Sequence, residues 1–218
     1  ACAPRRLRSA PAASVSQPSL ELALVHAAVG VVVPAVPVHL AAAQLADLLP
    51  GGQADEGQDL NDFEDTGWYQ KALGLSAEQP KVWFILAQLY QETDQIENAV
   101  NAYQRFLSLE SEDTAANLAL GQILLGRGKF HQAQSILKRA TELAPSNAMT
   151  HCYLGYAYQG LGNPREGRLH FDRAVELAPN WPAGLNGLAL HLVSQRSTDR
   201  QERQLAVRLA RRANKLSS

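Results

Sequence analysis

The chain repeats itself every 34 residues, and this period constrains its fold more than any other feature. Four leucines mark the period: Leu75, Leu109, Leu143 and Leu177. Three further series keep the same register: Ala72, Phe106, Ala140 and Ala174; Ala99, Ala133 and Gly167; and Leu86, Leu120, Leu154 and Leu188. The register resumes five residues late, at Ala206, Ala213 and Leu216. A fixed period of this length indicates stacked units, each too small to bury its own apolar face.

Each unit is predicted to be a pair of helices. Within residues 148–181, small and apolar residues recur three or four positions apart: His151, Leu154, Gly155 and Tyr158, then Gly167, Phe171 and Ala174. Such spacing places each set on one face of a helix. Residues 160–164 (GLGNP) break the helix between the two sets, and proline is well suited to begin the next one.

These positions resemble the tetratricopeptide repeat (TPR) family, whose unit has the same length and carries small and aromatic residues at the same places. The resemblance covers roughly residues 65–217 and about four repeats. It implies an all-α fold, an α-solenoid of helix-turn-helix hairpins in a right-handed superhelix with an irregular N-terminal extension. The solenoid, residues 61–218, divides into a half repeat, three regular repeats and a divergent last repeat: 61–79, 80–113, 114–147, 148–181 and 182–217.

The N-terminal region differs from the repeats in composition. Residues 1–20 are a basic Ser/Ala-rich tail, and residues 21–60 join an apolar Ala/Val/Pro stretch to an acidic linker. Residues 22–46 contain no Asp, Glu, Lys or Arg. Three interpretations are open: a membrane-spanning helix, a targeting segment, or apolar helices broken at Pro34 and Pro37 that pack on the solenoid. In the last case, residues 20–48 would also be able to fill the solenoid's groove. The localisation is therefore left open.

Charge is unevenly distributed along the solenoid. The net charge of −1 gives no general reason to expect binding to nucleic acid or anionic membranes. Residues 80–113 carry −4, however, and residues 182–218 carry +5. This difference is either ordinary surface variation or a sign of self-association through opposite ends. The basic end surface comprises Arg196, Arg200, Arg203, Arg208, Arg211 and Arg212, with Lys215 nearby. No aromatic residue accompanies them for base stacking, so nucleic acid is an unlikely partner.

The sequence offers no catalytic or metal-binding pattern. The six histidines and the two cysteines, Cys2 and Cys152, do not have the spacing of metal ligands. We find no nucleophile–base motif, glycine-rich phosphate loop or nucleophile elbow. We therefore expect no enzyme activity, no metal and no cofactor.

The resemblance also implies a partner-binding groove, because the first helices of TPR units line a concave surface. The corresponding positions hold Lys81, Phe84, Gln88, Gln91, Leu118, Gln122, Leu125, Met149, Cys152, Tyr156, Gln159, Asn186 and Leu190. Relatives that clamp a chaperone's C-terminal carboxylates place Lys and Asn at the fifth and ninth positions of the repeat, with further Lys, Arg and Asn in the next units. Here those places hold Phe84, Gln88, Leu118, Gln122, Cys152 and Tyr156, so a chaperone tail is not the expected partner. Phe84, Met149 and Tyr156 are the predicted anchors for a partner. For Leu118, Leu125 and Leu190, packing between repeats is the alternative.

The favoured function is that of a non-catalytic adaptor. Its groove would hold a largely uncharged peptide or helix of a protein partner, within an assembly or maturation complex. One alternative is a permanent structural subunit of a larger complex, with residues 22–46 at a membrane. A minor alternative is a regulatory TPR segment of a longer enzyme.

Overall fold

The computed structural model describes residues 79–195 and 199–217, and this part of the chain is entirely helical apart from its turns. Its helices, in chain order, are α1 (Pro80–Glu92), α2 (Ile96–Leu109), α3 (Thr114–Gly126), α4 (Phe130–Leu143), α5 (Ala148–Gly160), α6 (Pro164–Leu177), α7 (Pro182–Ser194) and α8 (Arg200–Ser217). The predicted tail 1–20, the extension 21–60, residues 61–78 of the half repeat and Arg196 lie outside the described residues.

The helices pack as consecutive hairpins in a stack. Each helix contacts the next one along the chain, and α5 also contacts both α3 and α7. The first helices α3, α5 and α7 therefore lie side by side, each packed against the second helix that follows it in the chain. The predicted α-solenoid is confirmed.

The turns inside three of the hairpins share one backbone geometry. Asp94, Gly128 and Gly162 are spaced one repeat apart and have φ angles of 56°, 68° and 73°. Glycine adopts this left-handed conformation without strain, and aspartate tolerates it. The amide after each of these residues donates to a carbonyl in the last turn of the preceding helix, over 2.7–2.9 Å: Gln95 to Tyr90, Lys129 to Leu124, and Asn163 to Tyr158. The sequence repeat is thus also a repeat of turn geometry.

The last hairpin accommodates its five-residue delay partly in the connection between α7 and α8, which has five residues against three in the other hairpins, and partly in α8, which is longer than the other second helices. The chain leaves α7 at Gln195 in an extended conformation (φ −73°, ψ 121°). It re-enters a helix at Asp199, whose side chain accepts a hydrogen bond from the Glu202 amide at 2.8 Å. Ala206 and Ala213, the residues that resume the register five positions late, are the buried residues of α8. The insertion therefore shifts the register without changing the buried face of the helix.

Glycine permits close contact between helices at several repeat positions. A Cβ at Gly155 would lie 3.1 Å from the Phe171 ring. At Gly160 it would lie 2.4 Å from a ring carbon of Phe130, whereas at Gly126, one repeat earlier, it would meet no atom within 4 Å. The same repeat position is therefore tightly packed in one hairpin and roomy in the preceding one.

This difference predicts opposite effects of one substitution at the two sites. We expect Gly126→Ala to stabilise the protein by about 0.5–1 kcal/mol, because alanine favours the helical conformation. Gly160→Ala gains the same helix propensity, but the added methyl group displaces the Phe130 ring at a cost of about 1–3 kcal/mol. The urea midpoint should therefore rise for the first variant and fall for the second. Equal midpoints would contradict the packing described at Gly160.

Candidate partner-binding groove

The predicted groove residues lie on the first helices of the hairpins, α1, α3, α5 and α7, which line the concave side of a TPR solenoid. They differ widely in exposure. Lys81 and Asn186 are exposed. The residues that are partly buried are Phe84, Gln88, Gln91, Met149, Gln159 and Leu190. The residues that are buried are Leu118, Gln122, Leu125, Cys152 and Tyr156.

The leucines of α3 are interior residues. Leu125 is completely buried and Leu118 is 6% exposed, and both belong to the hydrophobic core. Their side chains take part in packing within the stack, which was the alternative to a role in partner binding. Leu190 of α7 remains partly accessible. A partner can therefore touch Leu190 directly, but not Leu125.

Two of the three predicted anchors are occupied by contacts inside the protein. The Tyr156 ring lies edge-on to Phe171, with centroids 4.9 Å apart, and burial raises the pKa of its hydroxyl well above the usual value. The expectation that Tyr156 offers an accessible ring is therefore corrected. Phe84 is half-buried against Phe106, at 5.2 Å between ring centroids. Met149 is partly accessible and has no such ring contact described.

Some amide side chains on the groove helices already form hydrogen bonds within the protein. Gln91 accepts a hydrogen bond from the Tyr103 hydroxyl at 3.3 Å. Gln159 donates to the Ser194 hydroxyl at 3.3 Å, and its buried Oε1 has no hydrogen-bond partner among the described residues. Asn117, which the sequence analysis missed, donates to the carbonyl of Asp113 at 2.7 Å and so fastens the loop before α3. The same side-chain nitrogen has two hydrogens and also donates to the Ser111 carbonyl, at 3.2 Å.

A histidine pair joins α5 to α6. The Nδ1 atoms of His151 and His170 are 3.1 Å apart, and His151 Nε2 lies 3.0 Å from the Pro145 carbonyl oxygen. Because a carbonyl only accepts, Nε2 of His151 carries a hydrogen, and in the neutral pair His170 donates to Nδ1 of His151. Burial, together with His151 and Lys138, lowers the pKa of His170 to about 4. Nineteen residues separate the two histidines, and no local pattern marks the contact.

A second buried histidine, His191 of α7, packs against α6. It is 2% exposed, its ring is 5.3 Å from that of Phe171, and its Nδ1 has no hydrogen-bond partner in the described part of the chain. Burial, assisted by Arg168 and opposed by Glu202, lowers the pKa of His191 to about 4. Across residues 79–195 and 199–217, His, Cys, Asp and Glu form no group of three suited to a metal ion. The lowered pKa values leave His170 and His191 neutral near pH 7.

The predicted basic end surface lies along α8. Its described members, Arg200, Arg203, Arg208, Arg211 and Arg212, are all exposed, as is Lys215. Arg212 donates to Asn180 Oδ1 at 2.7 Å, which ties one of these guanidinium groups to the turn between α6 and α7. Ala206 and Ala213 occupy the opposite, buried face. One side of the last helix is therefore basic, with Val207 exposed among the charges.

The negative charge of the first repeat, residues 80–113, is partly neutralised by arginines of the second repeat, residues 114–147. Glu97 of α2 forms an ion pair with Arg127, and Glu112 lies 3.3 Å from a guanidinium nitrogen of Arg139. Both pairs join the first repeat to the second. They reduce the acidic charge left for a partner, and the exposed pairs themselves contribute little stability.

None of the helices in the described ranges is long and apolar enough to span a bilayer. The segment 22–46, for which a membrane or targeting role was one expectation, lies outside those ranges.

Comparisons with known proteins agree with the architecture. A family model for subunit 3 of the anaphase-promoting complex, or cyclosome, matches residues 92–174. A crystal structure of MamA aligns with a TM-score of 0.62 and 18% identity, over 72% of this chain and 90% of that one. YrrB, described as a TPR protein with an unusual peptide-binding site, aligns with a TM-score of 0.60 and 18% identity, over 84% and 86% of the two chains.

A third structure, the Cut9–Hcn1 hetero-tetramer of the anaphase-promoting complex, aligns with a TM-score of 0.60 and 17% identity, over 68% of this chain and 28% of that one. At such identities the likeness concerns the fold. No curated protein sequence matches the chain. The predicted TPR-like fold, a stack of helical hairpins, is confirmed by the helices and by these structural neighbours together.

The lowered pKa values of His170 and His191 predict a free energy of unfolding that depends on pH. Their pKa values in the folded protein are about 4, below the ordinary value near 6.5. Between pH 6.5 and pH 4 the unfolded chain binds more protons than the folded protein does. The contribution of these two histidines to the free energy of unfolding is therefore complete above pH 6.5 and is lost as the pH drops toward 4. We expect the urea midpoint to fall between pH 7 and pH 5, and to fall less in His170→Gln/His191→Gln. The exposed His131→Gln variant is the control, and a double variant that keeps the full pH dependence would refute this explanation.

Proposed function

We propose that this protein is a non-catalytic adaptor that holds a largely uncharged peptide or helix of a protein partner in its concave groove. The observation that carries the proposal is the chemistry of the accessible groove positions. Gln88, Gln91, Met149, Asn186 and Leu190 combine amide and apolar side chains, and none of them is charged. Lys81 is the one charged residue in the predicted groove set, and it lies at the start of α1.

Such a lining suits a peptide that is bound through its main chain and through a few apolar side chains. Amide groups both donate and accept hydrogen bonds, so they can bind the main chain of a peptide whatever its sequence. Met149 and Leu190 offer apolar contact, and methionine adapts to differently shaped side chains. A strongly charged segment would lose its water shell in this groove without gaining a counter-charge. The peptide-binding site named for YrrB supports the same use of the fold.

The second candidate is a permanent structural subunit of a larger complex. The observation that favours it is the outer face of α8, where Val207 is 49% exposed and Leu216 is 44% exposed among basic side chains. Apolar residues exposed among charged ones favour a fixed neighbour. The Cut9–Hcn1 hetero-tetramer is an assembly that contains this fold. In this case, the basic face would meet an acidic surface, either of another subunit or of a second copy.

Site-specific photo-crosslinking distinguishes the two candidates. A crosslinking amino acid is placed at Asn186, which is exposed on the groove helix α7, and separately at Leu169, which is 69% exposed on the second helix α6. The experiment is done in extract of the source organism with membranes retained, and the products are identified by mass spectrometry. The adaptor predicts a protein that crosslinks from Asn186 and not from Leu169, and that exchanges with excess unlabelled chain.

Two other results would count against the adaptor. Crosslinks of equal strength from Asn186 and Leu169 would mean that the groove has no special role. A fixed set of proteins that never exchanges would favour the structural subunit. Asn186→Asp, which adds a charge without changing size, should weaken the groove crosslink formed from position 190 several-fold, whereas Leu169→Asp should not.

A further inference from the structure

The outer face of α8 is a continuous basic surface. Arg208, Arg211 and Lys215 follow one another at spacings of three and four residues, so they lie on one side of the helix, opposite its two buried alanines. All three side chains are exposed. Glu202 is the one acidic residue of α8, and its carboxylate lies 3.3 Å from the guanidinium group of Arg168 in α6. The outer face of α8 therefore keeps its positive charge.

The turn between α2 and α3 carries the opposite charge. Residues 110–113 (ESED) include three acids, and together with Leu109 they line a cavity of about 410 Å³. The equivalent turns one and two repeats later, residues 144–147 and 178–181, contain no charged residue. The acidic turn is thus a particular feature of the first repeat and not a requirement of the hairpin stack.

Part of this acidic charge is available to a partner. Asp113 caps α3 by accepting a hydrogen bond from an amide of that helix at 2.7 Å. Glu112 lies 3.3 Å from Arg139, but its side chain is 78% exposed. Glu110 is exposed and forms no ion pair within the described ranges. Leu109, beside these acids, is 40% exposed. The turn therefore offers carboxylates next to an apolar side chain.

We propose that the basic face of α8 in one copy of this protein docks on the acidic α2–α3 turn of a second copy. The argument is charge complementarity, because one chain supplies both surfaces. Each surface also carries an exposed apolar residue, Val207 on α8 and Leu109 at the turn. The hairpin of α5 and α6 separates the two surfaces in the stack, so they meet only between chains. The proposal rests on the second candidate function and extends it by naming the neighbour, and none of its residues belongs to the predicted groove.

The two surfaces differ from each other, so the contact between copies is heterologous. A chain whose α8 is docked still offers its own acidic turn to a third copy, which builds a ring or an open row. Arginine suits the contact because its planar guanidinium group can donate two parallel hydrogen bonds to one carboxylate. Because the charges are exposed, salt should weaken the association.

Sedimentation velocity on the full chain tests the proposal. At an ionic strength of about 0.05 M, we expect the average mass to rise with protein concentration beyond that of two chains. At about 1 M salt, where the screening length is about 3 Å, the mass should return to that of one chain. Arg208→Glu/Arg211→Glu and, separately, Glu110→Arg/Glu112→Arg should each weaken the association at least tenfold.

The matched control changes the same amount of charge on a different second helix. Arg165→Glu/Arg173→Glu alters two exposed arginines of α6 and should associate like the unaltered chain. Helix content measured by circular dichroism shows that each variant stays folded. This is expected, because the exposed ion pair of Glu112 with Arg139 contributes little stability.

Mixing the two charge-reversed variants gives the decisive result. The Glu110→Arg/Glu112→Arg chain keeps a basic α8, and the Arg208→Glu/Arg211→Glu chain keeps an acidic turn. In an equimolar mixture, the first can dock on the second, so association should return although each variant alone stays at the mass of one chain. A mixture that remains monomeric would overturn the proposal, as would reversed variants that associate as strongly as the unaltered chain.

An unaltered chain that keeps the mass of one copy at every concentration would also overturn the proposal. Vesicles of phosphatidylcholine with phosphatidylserine then identify the other class of partner. Vesicle binding by the monomeric chain that is lost in Arg208→Glu/Arg211→Glu would assign the basic face to an anionic lipid surface instead.

This proposal and the adaptor function fail in different ways. If the mixture regains association but Asn186 crosslinks to nothing, the docking of copies stands and the adaptor function is refuted. If Asn186 crosslinks to an exchanging partner in a chain that never associates with itself, the adaptor function stands and the docking of copies is refuted.

Discussion

The close packing of one aromatic ring against two glycines holds the centre of the stack together. Phe171 of α6 is completely buried, and a Cβ at either Gly155 of α5 or Gly187 of α7 would approach its ring to about 3.0–3.1 Å. The rings of Tyr156 and His191 contact Phe171 from the same two helices. One side chain therefore joins three helices of two hairpins. Without the glycines, the first helices would move apart, and the groove that they line would lose its shape.

This packing also decides the chemistry of the groove. Polar groups drawn into the interior must be neutral or hydrogen-bonded, which is why His170 and His191 have lowered pKa values. Charge is kept to the outside, in pairs such as Arg168 with Asp172 and Glu202, and in the basic face of α8. The accessible positions of the predicted groove are consequently mostly apolar or amide side chains. The proposed recognition of an uncharged segment rests on the same constraint that stabilises the stack.

The 34-residue period predicted the fold because residues at equivalent positions of the repeat adopt the same local backbone geometry. The delayed register at Ala206 and Ala213 was sufficient to find the buried face of α8, even across an insertion. The accessibility of the groove was not predictable in the same way. Leu118 and Asn186 occupy the same repeat position, yet one is buried and the other exposed, since exposure depends on the place of a repeat in the stack. The contact of His151 with His170 also escaped prediction, because it depends on how two helices meet and not on their spacing in sequence.

The middle of the groove wall should be the most protected part of the molecule, and amide hydrogen exchange measures this protection directly. In the full chain near pH 7, we expect the slowest exchange in α3 and α5, with faster exchange toward α1 and α8, because burial is complete only in the middle. The gradient should persist at low denaturant concentrations, where local opening dominates. Exchange in α3 and α5 as fast as in α1 and α8 would contradict the central burial of these two helices.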